Sequence, residues 1–338
     1  MNTIRPNYGF INSSFSKTCI QSVFRTSRGI CKMNFKHYIK LYRINNPTGF
    51  WLLFIPTFGS LTLASNSLLP KANITALFAL GSVASRSAGC VINDLADRQF
   101  DSKVERTKNR PLANGEMAFT KALIALIGSS TTSAIVLSRL NRYTIYLGIP
   151  SVFLIAAYPF MKRITHYPQL FLGFTFNWGV LLAWTSIYGC INPYRSSWLC
   201  PISYYLSSVC WSVHYDTIYA HQDRLFDKQI GLFSTALKWN EATGSRLFIN
   251  AIVSGIFASS AGIFANLGLE YQFSVLLYTA HLIYQSKATN FFSEQDCRKQ
   301  FIMSKYSGVV LLLGIIFSKY KASKKHSNKR DSNTLHKG

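Results

Sequence analysis

Nine long apolar stretches dominate the chain, at about 48–68, 72–93, 118–138, 143–160, 168–190, 198–220, 246–266, 270–288 and 306–320. Few charges interrupt them. A helix needs about 20 mostly apolar residues to cross a bilayer, and only closed hydrogen-bonded elements survive there. The pattern therefore predicts an all-α, polytopic membrane protein with nine transmembrane helices. Composition agrees: 49% of the 338 residues are hydrophobic and only 14% are charged, against about 25% charged in a typical soluble domain.

The charge balance is lopsided, with 36 Lys and Arg against 13 Asp and Glu, a formal net charge of +23. Such a balance could suit nucleic acid. Here the basic residues flank apolar runs and form no nucleic-acid module, so the partner they imply is membrane lipid. The seven cysteines make no C-x-x-C pair and sit in or beside apolar runs. They read as small buried residues rather than a metal or disulfide framework.

No acidic residue precedes Asp94, and residues 1–33 are basic and serine-bearing without an apolar core. That composition predicts a mitochondrial transit peptide rather than a secretory signal, the alternative being an ordinary basic tail. Residues 34–320 would form the membrane domain, and 321–338 a basic, disordered tail. Span parity puts the charge-rich loops after spans 2, 4, 6 and 8 on the amino-terminal side. By the positive-inside rule that side is the matrix; the basic tail, opposite, runs against the rule.

The acids are more telling than the bases. Six of the eight aspartates fall in two short stretches, Asn93-Asp94-Leu95-Ala96-Asp97-Arg98-Gln99-Phe100-Asp101 and Tyr215 to Asp227, each ending a span on the amino-terminal side. At about 100° per residue, Asp94, Asp97 and Asp101 project within roughly 60° of one another, and Asp216, Tyr219, Asp223 and Asp227 within about 80°. Carboxylates grouped on one face beside an apolar span are costly unless they serve a function. The plainer alternative is a solvated helix end. Hard oxygen ligands suit Mg2+, which prefers a few carboxylates, waters and a phosphate. Two clusters could hold two ions sharing a diphosphate. No His or Cys stands in zinc spacing, and no P-loop is present. Lys162, in Tyr158-Pro159-Phe160-Met161-Lys162, and Arg43, in Arg43-Ile44-Asn45-Asn46-Pro47-Thr48-Gly49, end or precede spans on the same side. Each could stabilise a leaving diphosphate or simply anchor the interface.

At these residues the chain resembles the UbiA-type intramembrane prenyltransferases. Asn93 to Asp101 matches their N-D-x-x-D-x-x-x-D motif, Asp223 and Asp227 their second D-x-x-x-D, and Tyr158 to Lys162 their Y-x-x-x-K. The run from Asn93 through Glu105-Arg106-Thr107-Lys108-Asn109-Arg110-Pro111 to Gly115 resembles the branch that prenylates 4-hydroxybenzoate in ubiquinone biosynthesis. The resemblance implies a nine-helix bundle with a central cavity in the mitochondrial inner membrane. It implies a Mg2+-dependent enzyme joining a polyprenyl diphosphate to 4-hydroxybenzoate. Asn93, Asp94, Asp97, Asp101, Asp223 and Asp227 would bind Mg2+ and diphosphate, with Arg98 and Lys162 on the diphosphate. Asp216, Tyr219, Tyr158 and Arg43 would serve the aromatic acceptor, Asp216 as the candidate proton acceptor. A sister haem O synthase would share the aspartates and differ in its acceptor pocket. A transporter would explain the spans, but its acids usually lie near mid-membrane, often in repeated halves. Association with other quinone-pathway enzymes leaves no mark in the sequence.

Overall fold

The computed structural model describes residues 35–189 and 198–335. The expected transit peptide, 1–33, lies outside them. All regular structure among the described residues is helical. A short α1 (Phe35–Leu41) leads into α2 (Thr48–Ala64), α3 (Ala72–Ala96) and a single turn, α4 (Arg98–Asp101). After an irregular stretch come α5 (Phe119–Ser138), α6 (Arg142–Ile164), α7 (Pro168–Phe176) and α8 (Trp178–Tyr188). The chain then runs through α9 (Leu199–Ala220), α10 (Arg224–Gln229), α11 (Thr235–Trp239), α12 (Thr243–Phe264), α13 (Leu269–Ala288) and α14 (Glu294–Leu335).

Among the described residues six segments are long and apolar enough to cross a membrane: Ala72–Ala96, Phe119–Ser138, Arg142–Ile164, Pro168–Tyr188, Thr235–Phe264 and Glu294–Lys325. Thr48–Ala64 is apolar but shorter. The other two expected spans are helices of full length, α9 and α13, but carry more polar residues.

Local chemistry sets many of the ends. Asn141 caps α6 by accepting from the Thr144 N–H at 3.0 Å, the usual way to satisfy a free helix donor. Pro168 opens α7, where its missing N–H costs nothing. Gly189 closes α8 at φ 69°, a left-handed cap that favours glycine.

Two spans differ in detail from their expectation. The span at 168–190 is two helices, broken at Asn177. The Asn177 amide donates to the carbonyls of Gly173 (2.8 Å) and Ser208 (3.1 Å) and to Ser212 Oγ (2.7 Å). Those bonds tie the break to α9. The last span, expected at 306–320 with a disordered tail from 321, is instead one helix from Glu294 to Leu335. Nothing in that stretch stops a helix, as it contains no proline and only two glycines, Gly308 and Gly314.

The helices pack largely in chain order, and α14 returns to α2, so the neighbours close a ring. α9 is the most deeply set, in contact with α7, α8, α12 and α14. Its aromatics Tyr204, Tyr205, Trp211 and Tyr215 join Tyr271 and Tyr278 in the main buried cluster. Between apolar surfaces in lipid, small residues and polar links hold helices together. Accordingly Ser60 Oγ donates to Val180 O (2.6 Å), Ser254 Oγ to Ser207 O (2.9 Å), and Thr144 to Thr185 (3.0 Å).

Candidate active site

The carboxyl-terminal ends of α3, α6 and α9 meet on one side, as span parity predicts. An open cavity lies there. Asn93, Asp97 and Asp101 line it from the first motif, Asp223 and Asp227 from the second, and Lys162 from the end of α6. Two motifs more than a hundred residues apart thus face one space.

The helical run of the first motif falters at Asp97, whose φ of −101° caps α3 before the turn of α4. Backbone bonds from Asp97 N to Asn93 O (2.9 Å) and from Asp101 N to Asp97 O (2.8 Å) keep the three aspartates on adjoining turns. The second motif continues from α9 through a 3-10 turn, His221–Asp223, into α10.

Arginines neutralise most of these acids. Asp94, 2% exposed, accepts from Arg43 Nη2 at 2.7 Å and from Arg110 Nη1 at 3.0 Å. Arg110 Nη1 also reaches Asp101 Oδ2 at 2.5 Å. Arg163 Nη2 lies 3.2 Å from Asp97. Arg106 grips Asp223 with two nitrogens, Nε at 2.8 Å and Nη2, and donates from Nη1 to Tyr219 Oη at 2.8 Å. Planar forks of this kind are stronger than single ionic bonds. Asp227 differs, because its buried Oδ2 has no hydrogen-bond partner among the described residues. Burial raises the Asp227 carboxyl above its ordinary pKa, with Lys162 and Arg106 opposing. Burial likewise raises Asp101, opposed by Arg110 and reinforced by Asp94 and Asp97. Burial works against the charge of Arg106, yet Tyr219 and Asp223 more than offset it.

The remaining expected residues divide. Lys162 sits amid the fields of Asp227, Asp223, Asp216 and Asp97. Tyr158, Asp216, Arg43 and Tyr219 are not on the cavity wall; Tyr158 lies in the fields of Asp216, Arg43 and the wall residue Asp97, beside the cavity. Arg98 is the exception. It is exposed, and its Nε donates to Leu112 O at 3.2 Å, bracing the loop instead of facing the cavity.

Arg106 and Arg110, and not Arg98, are the arginines that line the cavity. Both stand in the run quoted above, where their charge reads equally well as interfacial anchoring. Arg86 was also missed. It donates to the carbonyls of Tyr42 (3.3 Å), Arg43 (3.4 Å) and Asn46 (3.1 Å). Arg43 itself holds φ 54° at the end of α1, where Ile44 N–H bonds back to Ile39 O at 3.0 Å. A left-handed conformation costs a non-glycine residue roughly 1–2 kcal/mol. Gly49 makes room for Arg86, since a Cβ there would lie 2.6 Å from Arg86 Nε.

The cavity's donor set fits a hard divalent ion: carboxylate oxygens from two motifs, the Asn93 amide and one buried carboxylate oxygen left unpaired. Among the described residues no three of His, Cys, Asp and Glu converge as a ready-made metal cage. Mg2+ commonly takes one or two carboxylates and completes its shell with water and phosphate.

The sequence model of the UbiA prenyltransferase family matches residues 53–309. The chain belongs to the UbiA prenyltransferase family. It is 42% identical over 295 residues to the mitochondrial 4-hydroxybenzoate polyprenyltransferase of Dictyostelium discoideum, covering 86% of this chain and 62% of that protein. With the protein of that name from Drosophila melanogaster it shares 40% over 300 residues, covering 88% and 75%. The Rattus norvegicus protein gives 40% over 282 residues, covering 82% and 74%. Among solved structures the fold resembles an apo UbiA homologue from Aeropyrum pernix K1, with a TM-score of 0.63 at 22% identity, over 80% of this chain and 97% of that one. It also resembles a UbiA homologue from Archaeoglobus fulgidus bound to GPP and Mg2+, with a TM-score of 0.58 at 16% identity, over 83% and 99%. UbiA membership sets aside the transporter reading.

Proposed function

We propose that this chain transfers a polyprenyl group from polyprenyl diphosphate to the ring carbon of 4-hydroxybenzoate ortho to its hydroxyl, an early step of ubiquinone biosynthesis, with Mg2+ as cofactor. One observation carries the reading: a single cavity collects both aspartate motifs and Lys162. The names of the relatives favour 4-hydroxybenzoate over haem as acceptor. The reading extends to nine spans, with α2, α9 and α13 crossing alongside the six most apolar segments, around a space open to lipid. It includes the mitochondrial inner membrane, with the aspartate loops on the matrix side and residues 1–33 as the address.

Asn93, Asp94, Asp97, Asp101, Asp223 and Asp227 are the residues that would hold Mg2+ and, with it, the diphosphate. A bound divalent ion supplies positive charge to the departing diphosphate. Lys162, Arg106 and Arg110 add fixed cations on the same side, where charge develops as the allylic C–O bond breaks. The electron pair leaves with the diphosphate. The ring carbon then supplies the pair for the new C–C bond, and the ring proton passes to a base. Asp216, beside Tyr158 and Tyr219, would orient the phenol or take that proton. Arg43 is the candidate partner of the substrate carboxylate. Aromatic faces favour a nearby cation, and an apolar surrounding excludes the water that would quench it.

The test is an assay on membranes carrying this chain, supplied with 4-hydroxybenzoate, a polyprenyl diphosphate and Mg2+, beside an Asp223→Asn version. Prenylated 4-hydroxybenzoate made only with Mg2+, and lost in the variant, supports reaction and site together. No product from folded protein removes the acceptor assignment, and haem B with farnesyl diphosphate becomes the next substrate pair.

A further inference from the structure

Four of the five aspartates assigned to metal, Asp94, Asp97, Asp101 and Asp223, already pair with arginines, and among the described residues Asp227 does not. Arg110 bridges Asp94 and Asp101, while Arg106 holds both oxygens of Asp223. A carboxylate lone pair in a guanidinium bond is not available to a metal ion. Both arginines come from the irregular stretch between Asp101 and Phe119 rather than from a membrane helix. That stretch is pinned at a few points, among them Thr107 Oγ1 to Asp101 O at 2.9 Å and Arg98 Nε to Leu112 O. Both arginine side chains also border the cavity where a diphosphate would lie.

We propose that Arg106 and Arg110 are exchangeable counter-ions, which pair with Asp223 and with Asp94 and Asp101 and pass to the diphosphate when metal takes the carboxylates. The proposal rests on the diphosphate reading above and adds a consequence to it: metal and diphosphate bind as one unit. Metal arriving alone must expel two guanidinium groups with no anion to receive them. Diphosphate arriving alone brings negative charge into a ring of carboxylates. Arriving together, the metal replaces each arginine on its carboxylate and the phosphate oxygens replace the carboxylates on each arginine. Every charge stays paired throughout, which matters most at Asp94, where solvent offers little compensation. Coupling between two ligands is reciprocal, so each should tighten the other by the same factor.

The test uses the full chain in lipid nanodiscs, with Mn2+ as the spin-active probe read by electron paramagnetic resonance. Geranyl thiodiphosphate, whose C–S bond resists ionisation, is the diphosphate. In the wild type the analogue should tighten Mn2+ at least tenfold. Arg106→Gln and Arg110→Gln should each bind Mn2+ alone about tenfold more tightly than wild type, and the analogue should then add less than threefold. Arg106→Lys, which keeps the charge, should retain most of the coupling. Should Arg110→Gln fail to fold, Arg106→Gln decides the matter, since its arginine and loop are the more exposed. Mn2+ affinity unchanged or weakened in folded Arg106→Gln overturns the exchange. A wild type that binds Mn2+ and analogue independently also overturns it while leaving the diphosphate reading intact. A wild type that binds neither removes both.

Discussion

Asp94 should be the most costly single carboxylate to neutralise. Asp94→Asn keeps the shape and removes the charge, so no cavity complicates the result. Two bonds are weakened at once, from Arg43 at 2.7 Å and Arg110 at 3.0 Å. Breaking a hydrogen bond to a charged group costs about 1.5–3 kcal/mol when the remaining partner is buried. The cost here is smaller per bond. Arg43 is 34% exposed and Arg110, 18% exposed, keeps Asp101, so solvent and the second carboxylate screen the orphaned charges. The expected loss is about 2–3 kcal/mol for the two bonds together. A double-mutant cycle with Arg43→Gln isolates one of them, and its coupling should be about 1–2 kcal/mol. Equilibrium unfolding in mixed detergent micelles, followed by tryptophan fluorescence, gives all four stabilities. Additive losses, with coupling below about 0.5 kcal/mol, would refute the claim that Arg43 neutralises Asp94.

Lys162→Met should lower kcat by about 10²–10³, the range for removing one group that stabilises developing charge, with Lys162→Arg restoring part of it; equal rates for Met and Lys would clear Lys162 of any role. Chelating divalent ions should abolish turnover and Mg2+ should restore it, whereas activity that survives exhaustive chelation argues against the aspartates as metal ligands. Arg98→Ala, away from the cavity, should leave KM for the diphosphate within about twofold while loosening the loop held through Leu112, as read by faster proteolysis there; a large rise in KM would return Arg98 to the site. Gly308→Ala places a Cβ 2.7 Å from Trp211 Cη2 and 3.0 Å from Ile55 Cγ2. It should cost about 1–3 kcal/mol by overpacking, and Trp211→Phe should recover part of that loss in the same unfolding measurement.

The helical class, the approximate positions of the spans and the gathering of the aspartates on one side were all legible in the order of residues. Each follows from local rules: bilayer thickness fixes span length, the helical repeat fixes which residues share a face, and parity fixes which ends meet. The motifs also carried the UbiA resemblance that residues 53–309 bear out. Fold alone decided which cation meets which acid. Asp97 points to Arg163 while its neighbours share Arg110, although all three aspartates project within one arc of an ideal helix. Arg98 sits among the aspartates in sequence and braces a loop, whereas Arg106 crosses to Asp223, 117 residues away. The break at Asn177 depends on bonds to a helix thirty residues later. The physical reason is common to all these cases. Periodicity orders residues along one rigid element, but the stretch between Asp101 and Phe119 has no repeat. Its side chains find partners only after the ends of α3, α6 and α9 have been packed side by side.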